Sequence, residues 1–149
     1  TDRSEELLSN VLHNAGLNSE DVLVGGASRL ETQVLCWESE APIAAKYDLV
    51  VGAEAMHEEG TMKRLARVVC SALKGGGGVF LGVSPASARR GAIDAFKASC
   101  TDWSAAAGEV LSVEEQPFPI EMMLEEYEDE WNVGSVQDDA LCLITVTKL

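Results

Sequence analysis

The chain is poor in positive charge. Its 149 residues carry 11 lysines and arginines against 25 aspartates and glutamates, a formal net charge of -14. Binding to a nucleic-acid backbone needs clustered basic side chains, so this balance argues against that class of function. No apolar run approaches the ~20 residues a membrane-spanning helix requires, and no basic-plus-apolar leader opens the sequence. There is no C-x-x-C pair. Cys36, Cys70, Cys100 and Cys142 lie 30 or more residues apart, which removes the usual zinc and thioredoxin-type arrangements. A glycine run at Gly75–Gly78 is not followed by G-K-S/T and leads into an apolar strand pattern, so it is not a phosphate loop.

What is present fits a soluble globular protein, with 46% apolar and 24% charged residues. A chain of this length buries roughly 70% of its unfolded surface, enough for one domain with a core. The acidic excess reads first as a solvated surface, and it also suits a basic partner protein. Cys70 falls on a helical apolar face and Cys142 in an apolar strand pattern. Both read as buried free thiols, as expected in a reducing, intracellular compartment.

Hydrophobic periodicity predicts a helix over Ser4–Ala15. Asp2 or Ser4 is its cap, Leu7, Leu8, Val11 and Leu12 form its apolar stripe, and Gly16 its stop. Asp21–Gly26 reads either as a strand or as an inserted loop. Thr32–Trp37 and Lys46–Gly52 read as strands, the second a buried β-branched run. Thr61–Lys74 is an amphipathic helix with Met62, Leu65, Val68, Val69 and Leu73 on one face. Val79–Val83 is a buried strand. Gly91–Cys100 is a short helix with Ile93 and Phe96 inward. Glu109–Glu114 and Leu141–Thr147 are the last two strands. The expected fold is α/β, with parallel strands and an antiparallel C-terminal edge. Strands 46–52 and 79–83 should be parallel neighbours, joined by a right-handed crossover through helix 61–74.

The segment Pro117–Asp139 reads as an acidic insertion. Six of the ten residues from Glu121 to Glu130 are acidic, interleaved with Met122, Met123, Leu124 and Tyr127 and followed by Trp131. A connection of about twenty residues is long for a compact domain. It reads either as a solvated cover for the sheet edge or as a docking segment for a basic, partly apolar surface.

Several strings resemble one family, in order along the whole chain. Thr1-Asp2, Glu5, Leu7, Asn10 and Asn14 match the pattern TD-x-x-E-x-L-x-x-N-x-x-x-N. Leu35-Cys36-Trp37 is similar to Leu-Asp-Trp after a third strand. Tyr47-Asp48-Leu49-Val50-Val51-Gly52-Ala53-Glu54-Ala55-Met56-His57-Glu58 is similar to FDLVLGSDVVYDE. Leu73-Lys74-Gly75-Gly76 is similar to L-K-P-G, and Arg89-Arg90-Gly91 with Phe96 to R-x-G…F. Together they resemble class I, seven-strand S-adenosylmethionine-dependent methyltransferases, most closely the protein-lysine methyltransferase family 16 branch.

The resemblance implies a Rossmann-like sheet and assigns roles to residues. Asp2 would accept the ribose hydroxyls, Trp37 would lie against adenine, and Gly52 would end the fourth strand beside the cofactor. Glu54 would orient the substrate amine. His57 stands where the family has an aromatic, and would be a wall, a base or a surface residue. Cys36 stands where the family has an aspartate. The two arginines would meet substrate or a neighbouring carboxylate. No metal is implied. In the family, two strands and a glycine-rich turn precede the point that matches Thr1, and that turn cradles the methionine part of the cofactor. No such motif occurs in these 149 residues, so the chain alone is expected not to bind S-adenosylmethionine. Two functions follow: the C-terminal part of a protein (lysine) methyltransferase, or a non-catalytic, methyltransferase-derived interaction subunit of a larger complex.

Overall fold

The computed structural model describes residues 4–17, 31–39, 43, 46–118 and 141–149, in two units, Thr1–Ala41 and Pro42–Leu149. The expectations for Asp2, Asp21–Gly26 and most of Pro117–Asp139 lie outside the described residues.

In the first unit, helix α1 spans Glu5–Leu17. The Ser4 hydroxyl accepts from the Leu7 N–H at 3.4 Å, and Glu5 and Glu6 face the positive end of the helix dipole. Of the expected stripe only Leu8 is buried, while Leu7, Val11 and Leu12 are exposed. Gly16 does not stop the helix, which runs on to Leu17. The expected strand Thr32–Trp37 is also corrected. Val34 makes a single bridge, and Cys36–Ser39 is a turn closed by the Ser39 N–H on the Cys36 carbonyl at 3.1 Å. β propensity in the sequence is only a weak guide, since pairing and burial in the fold decide where a strand forms.

The second unit holds four strands: β1 Leu49–Ala53, β2 Gly78–Pro85, β3 Leu111–Pro117 and β4 Leu141–Lys148. Their order is β1-β2-β4-β3. β1 and β2 are parallel, as expected, with Val50 opposite Phe80 and Gly52 opposite Gly82. The other two pairings, β2 with β4 and β3 with β4, are antiparallel. The expected parallel neighbours and antiparallel C-terminal strands are both found, with one parallel pair among the described strands; of the two C-terminal strands β3, and not β4, is at the edge. The last strand enters between β2 and β3, so Cys142–Lys148 of β4 have a ladder on both sides.

Helices α2 (Met62–Ala72) and α3 (Arg90–Ala107) pack on each other, and α3 packs against β3. A single 3-10 turn, Glu59–Thr61, leads into α2. The core alternates along the strands. Phe80 and Ser84 of β2, and Cys142, Ile144 and Val146 of β4, are buried, together with Leu65, Val69, Ile93 and Phe96 of the helices. Residues between them on the strands are half-buried. β1 departs from expectation, since Leu49 and Val51 are 55% and 67% exposed. In the described part of this unit, the core therefore lies along one sheet face.

The glycine run does what its sequence implies. α2 ends as Leu73 turns extended, and Tyr47 brackets it by donating to the Ala72 carbonyl at 2.8 Å and accepting from the Lys74 N–H at 3.0 Å. Gly76 and Gly77 then take φ of 78° and 120°, open to glycine at little cost. The Gly78 N–H returns to the Lys74 carbonyl at 3.0 Å, and β2 begins beside β1. Two lysines sit at the negative end of α2: Lys46 Nζ donates to the Ser71 carbonyl and Lys148 Nζ to the Cys70 carbonyl.

Two glutamates tie α3 to the sheet. Glu115 meets Arg90 and Lys97, each at 2.8 Å, so the second arginine of the pair does find a carboxylate. Glu109 meets Lys148 at 2.8 Å. The Lys97 ammonium, with Arg90 behind it, holds the Glu115 carboxyl below the ordinary glutamate range, and Lys148 does the same for Glu109, with burial opposing in both. A lowered carboxyl stabilises the fold fully above its unfolded value, near 4.5, and loses that contribution as pH falls through the folded value. Tm is therefore expected to be flat from about pH 7 to about pH 5 and to fall below that. Glu109→Gln should flatten part of the fall. It should also cost about 1–2 kcal/mol at neutral pH, because it leaves the Lys148 ammonium enclosed without its counter-charge. Thermal unfolding of both proteins across this range is the check; equal acid transitions would contradict it.

Candidate functional site at the carboxyl end of the parallel strands

Because β1 and β2 run the same way, their carboxyl ends share one edge of the sheet, the edge at which open α/β sheets bind ligands. Gly52 and Glu54 lie at that edge, and His57 follows three residues on.

Glu54 is the only described non-glycine residue with positive φ, at 49°. A left-handed non-glycine residue costs about 1–2 kcal/mol and persists where its surroundings hold it. Here the Glu54 N–H donates to the Val83 carbonyl at 2.8 Å, extending the ladder one residue past β1. Met56, fully buried, anchors the next turn. The side chain of Glu54 itself is exposed. The backbone is thus pinned from below while the carboxylate faces outward.

The loop is fastened to the start of α3 by Arg89, whose Nη1 donates to the His57 carbonyl at 3.4 Å. Glu59 Oε2 lies close by, within 3.3 Å of where a side chain at Gly91 would begin. His57, Glu58 and Glu59 are exposed. Three carboxylates within six residues make this rim acidic, which favours a cationic or amine-bearing ligand.

Beneath the rim the space is filled. A Cβ on Gly82 would sit 2.7 Å from the Phe80 ring and 3.1 Å from Met56 Cε, and one on Gly52 would sit 3.2 Å from the same ring. Phe80 therefore lies across two facing glycines, and its other side meets Phe96 at 5.6 Å between ring centroids. The Ser84 hydroxyl, at the same end of β2, is fully buried and has no hydrogen-bond partner among the described residues.

Of the five residues singled out from sequence, the second unit brings together Gly52, Glu54 and His57. Trp37 is half-buried in the turn of the first unit, and Asp2 lies outside the described residues. Sequence reasoning missed Met56, Glu59, Arg89's hold on the loop, and the Gly52–Phe80–Gly82 stack. An isolated apolar Met56 in an acidic stretch was a usable signal. The facing glycines were not, since their pairing depends on register. Among the described residues no group of three or more His, Cys, Asp or Glu side chains is placed to hold a metal ion, and no helix is long and apolar enough to cross a membrane.

No protein-family model matches the chain, and a search of the curated proteins finds no match to its sequence.

Proposed function

We propose that this chain is the C-terminal part of an S-adenosylmethionine-dependent protein methyltransferase of the lysine-modifying family 16 type, with a Rossmann-like sheet. The observation that carries the reading is Glu54, held left-handed at the carboxyl end of a parallel strand pair, two residues after Gly52. The segment Tyr47–Glu58, which bears it, is also the string closest to the family pattern.

S-adenosylmethionine, when bound, would supply an electrophilic methyl group for a neutral amine, and the proton lost by the methylated amine would pass to solvent. What the described residues offer is the acceptor side. The Glu54 carboxylate orients the amine, and the acidic rim of Glu58 and Glu59 draws a lysine side chain to it. His57 takes the place of an aromatic wall. The described residues contain no glycine-rich turn after a strand to cradle the methionine moiety. The fit to the cofactor is therefore partial, and no step is routed through it.

The test is transfer of a radiolabelled methyl group from S-adenosylmethionine to lysine-containing proteins by the complete natural polypeptide. Glu54→Ala should reduce kcat by about 10²-fold through lost positioning, and His57→Phe should retain activity. Activity insensitive to Glu54 would remove that residue's role. No transfer to any acceptor would favour the second reading.

That second reading is a non-catalytic interaction subunit. It is favoured by Cys36, exposed where the family has an aspartate, and by the exposed Leu49 and Val51 on a strand with one described neighbour. An unpaired, apolar edge strand favours association with another chain.

A further inference from the structure

Cys70 and Cys100 are thirty residues apart in sequence and touch in space. Their sulfurs are 4.0 Å apart, and both side chains are fully buried. One lies in α2 and the other in α3, the two helices that pack on each other above the sheet. No other described cysteine has this relation. Cys36 is exposed, and Cys142 meets the Ser84 carbonyl at 3.4 Å. The surroundings are asymmetric as well. Lys148 Nζ lies 3.4 Å from the Cys70 carbonyl, held there by Glu109 at 2.8 Å, and Glu109 in turn accepts from Trp103 Nε1 at 3.4 Å.

We propose that Cys70 and Cys100 are a redox-sensitive pair that closes to a disulfide under hydrogen peroxide and staples α2 to α3. A separation of 4.0 Å exceeds the ~2.05 Å of an S–S bond by an amount that side-chain rotation and a small helix shift can close. The Cys70 sulfur is the nucleophile. Contact with Cys100, with the Lys148 ammonium behind it, holds the Cys70 thiol below its ordinary range against the effect of burial, while the same contact pushes Cys100 up.

In the first step the Cys70 thiolate attacks one peroxide oxygen, the O–O bond breaks, and Cys70 becomes a sulfenic acid with loss of hydroxide, which is protonated to water. In the second, the Cys100 sulfur attacks that sulfenic sulfur, the S–O bond breaks and a second water leaves. Two thiols are oxidised to one disulfide, and one peroxide is reduced to two waters. Burial makes the pair slower than exposed Cys36 to react, because peroxide reaches it only through fluctuations of the helix pair. The closed loop constrains the unfolded chain, so the oxidised form is the more stable one.

The experiment uses the Cys36→Ser chain, which removes the exposed thiol, treated with hydrogen peroxide under native conditions. The expected product is about 2 Da lighter, yields one cross-linked peptide joining Cys70 to Cys100 on non-reducing digestion, and melts roughly 5–10 °C higher. Dithiothreitol should reverse all three changes. Cys100→Ala on the same background should abolish the mass loss and the Tm shift. Two free thiols persisting at Cys70 and Cys100 after exhaustive oxidation would overturn the proposal. So would gain of oxygen without cross-linking, or a link that forms only in denaturant.

Discussion

Phe80→Ala is expected to lower the free energy of unfolding by about 3–5 kcal/mol. The ring is 1% exposed and occupies the volume above Gly52 and Gly82, with Phe96 against it. Truncation removes its burial and leaves a hole that the two glycines cannot fill. The same geometry predicts strong coupling with Gly82. Gly82→Ala alone should destabilise by about 1–3 kcal/mol, since its Cβ would fall 2.7 Å from the ring. In the Phe80→Ala background the same change should be neutral or stabilising. Urea titration of the four proteins gives the coupling energy. Additive effects would show that Phe80 does not lie where the structure has it.

Gly78→Ala is the second large effect, expected at about 3 kcal/mol. A Cβ there would lie 2.5 Å from the Lys74 carbonyl oxygen and 2.7 Å from its nitrogen. Both are backbone atoms in the turn that joins α2 to β2, so nothing can step aside without breaking the Gly78–Lys74 hydrogen bond. Gly75→Ala is the internal control. Nothing lies within 4 Å of its added Cβ and its φ is not left-handed, so the change should be neutral or stabilise by about 0.4–1 kcal/mol through the unfolded chain. Equal destabilisation at both positions would mean that the loop requires four glycines for a reason other than this contact.

The second unit was legible where local pattern and tertiary role agree. Met62, Leu65, Val68 and Val69 announce the buried face of α2, and Ile93 and Phe96 that of α3, because a helix face is set by spacing alone. The parallel pairing of β1 with β2 followed from one helix between two apolar runs. Burial on both faces of β1 did not follow, because the pattern of Leu49–Val51 records only that a strand forms and not how many layers cover it. α3 extends past the expected end at Cys100 to Ala107, where Gly108 at φ 66° closes it. Its last turns are held by polar contacts rather than burial: Trp103 Nε1 donates to Glu109 Oε2 at 3.4 Å, and the Ser104 hydroxyl donates to the Glu109 carbonyl. At Thr32–Trp37 the composition favours a strand, yet among the described residues of that stretch only Val34 makes a bridge. At the site, the resemblance pointed to Gly52, Glu54 and His57 together. The strain at Glu54 and the fastening by Arg89 depend on which strand ends come to share an edge, which no local pattern encodes.

The central proposal is that Gly52–His57 forms the acceptor-side edge of an S-adenosylmethionine site. Titration calorimetry with S-adenosylhomocysteine tests it most directly, comparing the complete natural polypeptide with the 149-residue chain. The proposal predicts micromolar binding by the complete polypeptide, and no measurable heat from the 149 residues alone, which contain no glycine-rich turn after a strand to cradle the methionine moiety. Micromolar binding by the 149 residues alone, or none by the complete polypeptide, would contradict it.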